Sequence, residues 1–116
     1  MYLKGLHVIK SIKTHSNLRL KAYNPFKTVL EALIADFGLQ KLGEVYHNFS
    51  PQGFTAVICL SESHISVHTW PEHHLVNYDI YLSNYERVND DTVRKIDQIF
   101  ETYFEGTILQ ENQINR

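Results

Sequence analysis

The sequence predicts an α+β fold, in which a mainly antiparallel sheet and two helices on one of its faces form a two-layer α/β sandwich. The first observation is the order of hydrophobic periodicities, β-α-β-β-β-β-α-β, because runs of neighbouring strands favour antiparallel pairing with both helices on one side. The second is that no repeat or Pro/Gly/Ser-rich linker divides the 116 residues, which predicts a single domain spanning residues 1–116. The other sheet face would be left open, and we expect a second copy of the chain to cover it in a homodimer.

Six short segments are predicted to be strands because they alternate between apolar and polar residues or are rich in β-branched residues. They are Gly5–Ile12, Gly43–Phe49, Phe54–Leu60, His64–Thr69, Leu75–Leu82 and Thr107–Gln110. The tetrapeptide Ser-Pro-Gln-Gly at residues 50–53 predicts a tight turn between the second and third strands.

Two further segments are predicted to be helices because their apolar residues recur at helical spacing. The first has Asn24 as its N-cap, Pro25 in its first turn and Gly38 at its end. The second is capped by the Asn-Asp-Asp tripeptide that starts at Asn89, and it ends at Gly106. The two apolar stripes consist of Phe26, Leu30, Leu33, Ile34 and Phe37, and of Val93, Ile96, Ile99, Phe100 and Tyr103.

Composition excludes several classes of protein. A formal net charge of −2 lacks the basic excess that a nucleic-acid partner usually requires. The single cysteine, Cys59, cannot form an internal disulfide, which excludes a disulfide-held secreted scaffold. Residues 1–13 contain three lysines and no unbroken apolar run long enough for a signal peptide or a membrane span. We therefore expect a cytoplasmic protein with no membrane partner.

Residues 61–72 are the densest concentration of chemically active side chains, with three serines, two histidines and two carboxylates around one short predicted strand. Side chains alternate between the two faces of a strand. One face should carry Ser63, Ile65, Val67 and Thr69, and the other should carry Glu62, His64, Ser66 and His68.

The residues alone leave three interpretations of this segment open. It could be a polar edge strand with solvated histidines. It could supply metal ligands from His64 and His68, and Glu72, His73 and His74 follow as further candidates. However, the two strand histidines would lie about 13 Å apart, too far to bind one ion unless the strand bends. It could belong to a Ser/His hydrolase with Asp79 as third member, although it lacks the glycine-flanked nucleophile turn. We expect no bound metal.

The undecapeptide at residues 62–72, Glu-Ser-His-Ile-Ser-Val-His-Thr-Trp-Pro-Glu, resembles the processing-site motif of the bacterial and archaeal S-adenosylmethionine decarboxylase family. Gly5-Leu6-His7 is similar to the opening strand of that family. Phe49, Pro51 and Gly53 are similar to its aromatic-loop-glycine segment, and Asp79 matches an aspartate in its following strand.

The resemblance implies a proenzyme, or zymogen, that cuts itself between Glu62 and Ser63. The Ser63 hydroxyl would attack the Glu62 carbonyl, and the resulting ester would eliminate to leave a pyruvoyl group derived from Ser63. The products would be chains of residues 1–62 and 63–116. The resemblance further implies that His68 moves protons during this autocatalytic cleavage, a task suited to a group titrating near neutral pH, and that Thr55 supplies a processing hydroxyl.

The resemblance also implies the reaction of the mature enzyme. The pyruvoyl ketone would form a Schiff base with S-adenosylmethionine and accept the electrons released on decarboxylation, as a cofactor does. Phe49 would stack on the adenine ring, Ile65 would offer backbone contacts to the base, and Glu72 would accept hydrogen bonds from the ribose hydroxyls. The product would be the aminopropyl donor for spermidine, and so for polyamine biosynthesis. The pocket could lie at a dimer interface, where Phe49 or Glu72 would serve the neighbouring subunit.

One residue departs from the family's pattern. Ser83 stands where the family has a cysteine that acts as general acid, and an alcohol is a far weaker acid than a thiol. Three possibilities follow. His68 or a water held by Ser83 could deliver the proton; the scaffold could decarboxylate arginine or ornithine instead; or the chain could be a catalytically weak homologue that binds or regulates a partner.

Overall fold

The structure, a computed structural model, describes all of residues 1–116. Six strands form one sheet in the order β2-β3-β4-β5-β1-β6, and every neighbouring pair is antiparallel. The strands are β1 (Leu6–Thr14), β2 (Lys41–Asn48), β3 (Phe54–Leu60), β4 (Ser63–Trp70), β5 (Leu75–Leu82) and β6 (Gly106–Asn115).

Two α-helices pack on one face of this sheet. They are α1 (Asn24–Asp36) and α2 (Asp90–Phe104), and short 3₁₀ turns occupy Leu18–Leu20 and Pro71–His73. Phe26 of α1 contacts Phe54 of β3 at a ring distance of 5.7 Å, and Phe100 of α2 contacts Tyr78 of β5 at 5.2 Å. Since both helices reach the same sheet face, the predicted α+β two-layer sandwich is confirmed.

Strand alternation decides which side chains enter the core. On β4, Ile65, Val67 and Thr69 are buried under the helices, whereas the residues between them are only half-buried on the other face. The Thr69 hydroxyl donates to the Leu20 carbonyl over 2.7 Å, so this polar group is satisfied inside the core. The second face of the sheet, which we call the open face, therefore carries the polar side chains of β4.

Three local predictions differ from the structure. The N-cap of α1 is Tyr23 rather than Asn24, whose amide oxygen instead accepts a hydrogen bond from the Asn48 side chain over 3.1 Å. Asn89 is the N-cap of α2, but its side chain makes no capping bond. The last strand extends to Asn115 instead of Gln110 because β1 offers it a whole edge to pair with, as far as Leu6. None of the helices is long and apolar enough to cross a membrane.

Lys10 is a buried charge that the sequence pattern does not reveal. Its ammonium lies on the helix side of β1 and donates to Asp97 over 2.8 Å and to Glu101, and it pairs with Glu111 over 2.9 Å. Burial alone would lower the pKa of Lys10, but the hydrogen bonds to the three carboxylates outweigh it and raise the pKa. Tyr78 donates to the second oxygen of Asp97 over 2.7 Å, so this cluster joins β1, β5, β6 and α2.

Replacing Lys10 by methionine would keep the apolar stem and leave three carboxylates without their shared cation. We expect the free energy of unfolding to fall by about 3 kcal/mol or more, the usual cost of removing one partner of a buried pair. Urea unfolding in a Ser63→Ala background, which keeps the chain uncut, measures this loss. Lys95→Met on the exposed side of α2 is the matched control, with an expected change within about 0.5 kcal/mol. A loss no larger than that of the control would contradict a structural role for the cluster.

Candidate functional site

The bond between Glu62 and Ser63 lies in the tight connection between β3 and β4. The backbone N–H of Ser83, just after β5, donates to the Glu62 carbonyl oxygen over 2.7 Å. Ser63 has φ = 140°, a backbone conformation that residues with a side chain rarely adopt. A strained serine thus follows a carbonyl that is already polarised by a hydrogen bond, and strain of this kind concentrates at functional sites.

The Glu62 side chain is anchored from the loop before α2. Arg87 donates to its two oxygens over 3.0 and 2.8 Å, and the Asn89 amide donates over 2.5 Å. The hydrogen bonds from Arg87 are the main cause of a lowered pKa of Glu62, and burial opposes them only in part. Asn89 also donates to the Ser83 carbonyl over 2.8 Å. These contacts hold both sides of the strained connection in place.

Ser63 also belongs to a hydrogen-bonded chain that runs across the open face. Its Oγ lies 3.3 Å from Nδ1 of His64, and Nε2 of His64 lies 2.6 Å from Oδ2 of Asp79. The same Asp79 oxygen is 2.9 Å from Nε2 of His7, and Ser66 donates to the other oxygen. Burial would raise the pKa of Asp79, but the hydrogen bonds from Ser66, His64 and His7 outweigh it and lower the pKa.

A second cluster of predicted residues lies towards the opposite end of β4. Thr55 and His68 are directly opposed across β3 and β4, and the Thr55 hydroxyl lies 2.9 Å from Nδ1 of His68. Both residues line a cavity of about 220 Å³ together with Phe49 and Glu72. The turn at residues 50–53 and the 3₁₀ turn after β4 bring Phe49 and Glu72 to this cavity. The structure thus unites the four residues predicted for processing and substrate binding at this end.

The two clusters are far apart within one chain. His68 lies five positions after Ser63 along β4, which corresponds to about 16 Å. Ser83 belongs to the Ser63 end, where it lines a second cavity of about 360 Å³ with Glu62. The Ile65 side chain, between the two ends, is fully buried in the core, so only its backbone could contact a substrate.

Sequence reasoning missed several members of the site. The resemblance gives His64 no role, and the residues alone suggest it as a metal ligand with His68 or as part of a Ser/His arrangement with Asp79; its neighbours are Asp79 and the unexpected His7, with ligand-type atoms within 4.8 Å of one another. The register of β1 with β5 brings His7 to Asp79, and no spacing within one segment indicates it. No sequence signal indicates Arg87, and the sequence predicts only a helix-capping role for Asn89.

The fold and these clusters define a class: an α+β sandwich protein with a strained serine after a tight turn and a serine–histidine–aspartate chain beside it. A family model described as S-adenosylmethionine decarboxylase matches residues 6–111. The chain belongs to this family, as its sequence predicted.

Individual relatives agree with this assignment. An S-adenosylmethionine decarboxylase proenzyme of Archaeoglobus fulgidus is 35% identical over 77 residues, which cover 66% of this chain and 69% of the relative. The proenzyme of a Sulfurihydrogenibium species is 39% identical over 77 residues, covering 66% of this chain and 58% of the relative. A crystal structure of the adenosylmethionine decarboxylase from Aquifex aeolicus superposes with a TM-score of 0.82 at 28% identity, over 100% of this chain and 92% of that one. The similarity does not favour arginine or ornithine as alternative substrates.

Proposed function

We propose that this protein decarboxylates S-adenosylmethionine with a pyruvoyl group that it makes from its own Ser63. The reaction would yield decarboxylated S-adenosylmethionine, the aminopropyl donor for spermidine. The observation that carries the proposal is the strained Ser63 directly after a carbonyl held by the Ser83 N–H. Family membership supports the same conclusion, since the matched relatives are named as proenzymes of this activity.

The geometry suits the first stage of self-cleavage. Attack of the Ser63 hydroxyl on the Glu62 carbonyl would place negative charge on the carbonyl oxygen, and the Ser83 N–H points at that oxygen before the reaction begins. A preorganised donor of this kind stabilises the developing charge more than water does. Strain at Ser63 would be relieved when its peptide bond becomes an ester.

The later stage requires removal of the Ser63 α-proton and departure of Glu62 as a carboxylate. His68 is the proposed base, and the Thr55 hydroxyl at 2.9 Å from Nδ1 would orient its ring. The position of residue 63 suits a pyruvoyl group. It lies half-buried at the start of β4, beside the cavity that Ser83 and Glu62 line, where a substrate could reach it. When formed, the pyruvoyl group supplies the electron sink for decarboxylation.

Substrate recognition is assigned to the cavity at the other end of β4. Phe49 is half-exposed and offers a free aromatic face on which an adenine could stack. Glu72 lines the same cavity and carries the acceptor oxygens that ribose hydroxyls require. The Ile65 backbone is the proposed third contact.

We further propose a homodimer in which each active site combines both clusters. Within one chain, Ser63 and His68 are about 16 Å apart, too far for direct proton transfer. Two copies packed through their open faces about a two-fold axis could place Ser63 of one copy beside His68 of the other. Apolar Ile9, Val45 and Val57 are exposed on this face and would be covered by such packing.

The cytoplasmic location of the protein stays a prediction.

Self-cleavage and activity test the function. Intact-mass analysis should show two fragments, residues 1–62 and 63–116, and the purified protein should release carbon dioxide from S-adenosylmethionine but not from arginine or ornithine. Ser63→Ala should abolish cutting and activity, whereas Ser61→Ala, an exposed serine in the same turn, should retain both. An uncut wild-type chain with no reactivity towards hydrazines would refute the proposal.

Ser83→Cys tests the missing general acid. The thiol would provide a proton donor of pKa near 8.5 where the alcohol provides none near neutral pH, so we expect S-adenosylmethionine turnover to rise by roughly tenfold or more. Steady-state kcat after complete cleavage is the measurement. Ser83→Ala is the control that removes the hydroxyl without adding an acid. It should cleave at the wild-type rate, because the donor to the Glu62 carbonyl is the backbone N–H of residue 83. No gain in the cysteine variant would place Ser83 outside the proton path.

Mixed dimers test the shared site. Ser63→Ala and His68→Ala chains should each stay uncleaved alone. When the two are co-expressed, a mixed dimer would hold one complete site, with Ser63 from one copy and His68 from the other, so fragments of the His68→Ala chain should appear. Co-expression of each variant with itself is the control. Absence of fragments in mixed dimers isolated by paired affinity tags would contradict a shared site.

A further inference from the structure

We propose that His64, held by Asp79, is the base that takes the Ser63 hydroxyl proton in the first step of self-cleavage. The inference rests on the proposed cleavage between Glu62 and Ser63 and assigns a group that this cleavage still lacks. Serine is a weak nucleophile without an adjacent base. Nδ1 of His64 is 3.3 Å from Ser63 Oγ in the same chain, whereas His68 of that chain is about 16 Å away. In the proposed dimer only the other copy's His68 reaches Ser63, and it is assigned the later elimination.

The hydrogen bonds around Asp79 determine which nitrogen of His64 is free to act. An ionised carboxylate only accepts hydrogen bonds, and its lowered pKa keeps Asp79 ionised. Nε2 of His64, 2.6 Å from Oδ2, must therefore carry the proton. In a neutral ring this leaves Nδ1 unprotonated and facing the Ser63 hydroxyl. This tautomer is the one that a general base requires. The arrangement is that of the serine, histidine and aspartate in serine hydrolases, except that the two ring nitrogens of the histidine have exchanged roles.

The remaining partners of Asp79 fix its orientation. His7 is almost fully buried and donates from Nε2 to the same oxygen over 2.9 Å, while its Nδ1 has no partner. Ser66 donates to the other oxygen. With three donors on two oxygens, the carboxylate cannot rotate freely. His7, Ser66 and Asp79 are positioning residues for His64, which alone among them touches a reacting atom.

The step balances as a proton transfer coupled to acyl transfer. As Ser63 Oγ bonds to the Glu62 carbonyl carbon, its proton passes to Nδ1 of His64. The tetrahedral oxygen is held by the Ser83 N–H. His64 then returns the proton to the Ser63 nitrogen as the C–N bond breaks, giving an ester and a free amine. No oxidant, reductant or further reactant is consumed, and the later elimination is left to His68.

The ester intermediate separates this step from the later one. Hydroxylamine cuts an ester but not the original peptide bond, leaving residues 1–62 as a hydroxamate and residues 63–116 with an intact N-terminal serine. In a His68→Ala background the ester should accumulate, so the fraction cut by hydroxylamine reports the first step alone. Adding His64→Gln should slow ester formation by roughly 100-fold or more, the usual contribution of a general base. His15→Ala, which removes an exposed histidine, is the matched control with no expected change.

Two further measurements exclude a merely structural role. Imidazole added to a His64→Gly chain should restore ester formation, which a folding defect would not allow. Ring ¹⁵N shifts of His64 in the uncut Ser63→Ala precursor should report a proton on Nε2, and Asp79→Asn should shift the population towards the other tautomer and slow the step by at least roughly tenfold.

Each outcome decides a separate question. Ester formation at an unchanged rate in the His64→Gln chain would overturn the role of His64 and leave the proposed function intact. A proton on Nδ1 of His64 in the precursor would also overturn it. Loss of cleavage in the presence of a chelator would indicate a metal ion at this cluster in place of a free imidazole. A wild-type chain that is never cut would remove the proposed function and this inference together.

Discussion

The pairing of β4 with β3 on one side and β5 on the other is the constraint on which the site depends. This register sets Ser63 opposite Leu82, so that Ser83 follows within reach of the Glu62 carbonyl, and it sets His68 opposite Thr55. A slip of one residue would turn every β4 side chain to the other face. The buried Ile65 and Val67 forbid that slip, since it would carry apolar side chains out of the core and polar ones into it. Core packing therefore positions the chemistry on the opposite face.

The parts of the site that could be predicted are those carried by one short segment. Alternation along residues 64–69 predicted which side chains enter the core, but it put Ser63 on the face opposite His64, and the positive φ of Ser63 breaks that pattern. The motif suggested processing roles for Thr55 and His68 and substrate-binding roles for Phe49 and Glu72, and the structure brings all four to one cavity. The strands were predictable for the same reason, because a two-residue period is a local property. The extension of β6 to Asn115 was not, since its polar residues become a strand only against the edge of β1.

Contacts between distant segments account for what the sequence could not reveal. Lys10 lies at a position where alternation puts an apolar side chain, and it is accommodated only because α2 and β6 bring three carboxylates to it. Arg87 and Asn89 reach Glu62 from a loop 25 and 27 residues away. The Asn89 side chain satisfies Glu62 and the Ser83 carbonyl instead of its own helix. A helix-capping signal is thus a weak guide where a buried partner competes for the same amide.

The departure at Ser83 affects the two stages of the proposed activity unequally. The proposed self-cleavage would use the backbone N–H of residue 83, which every residue except proline supplies, so a serine in place of cysteine keeps this donor. The proposed turnover would use the side chain, where an alcohol and a thiol differ by several orders of magnitude in acidity. The Ser63–His64–Asp79 chain is likewise independent of residue 83. A substitution at residue 83 would therefore alter the proposed proton delivery and leave in place the geometry proposed for self-cleavage.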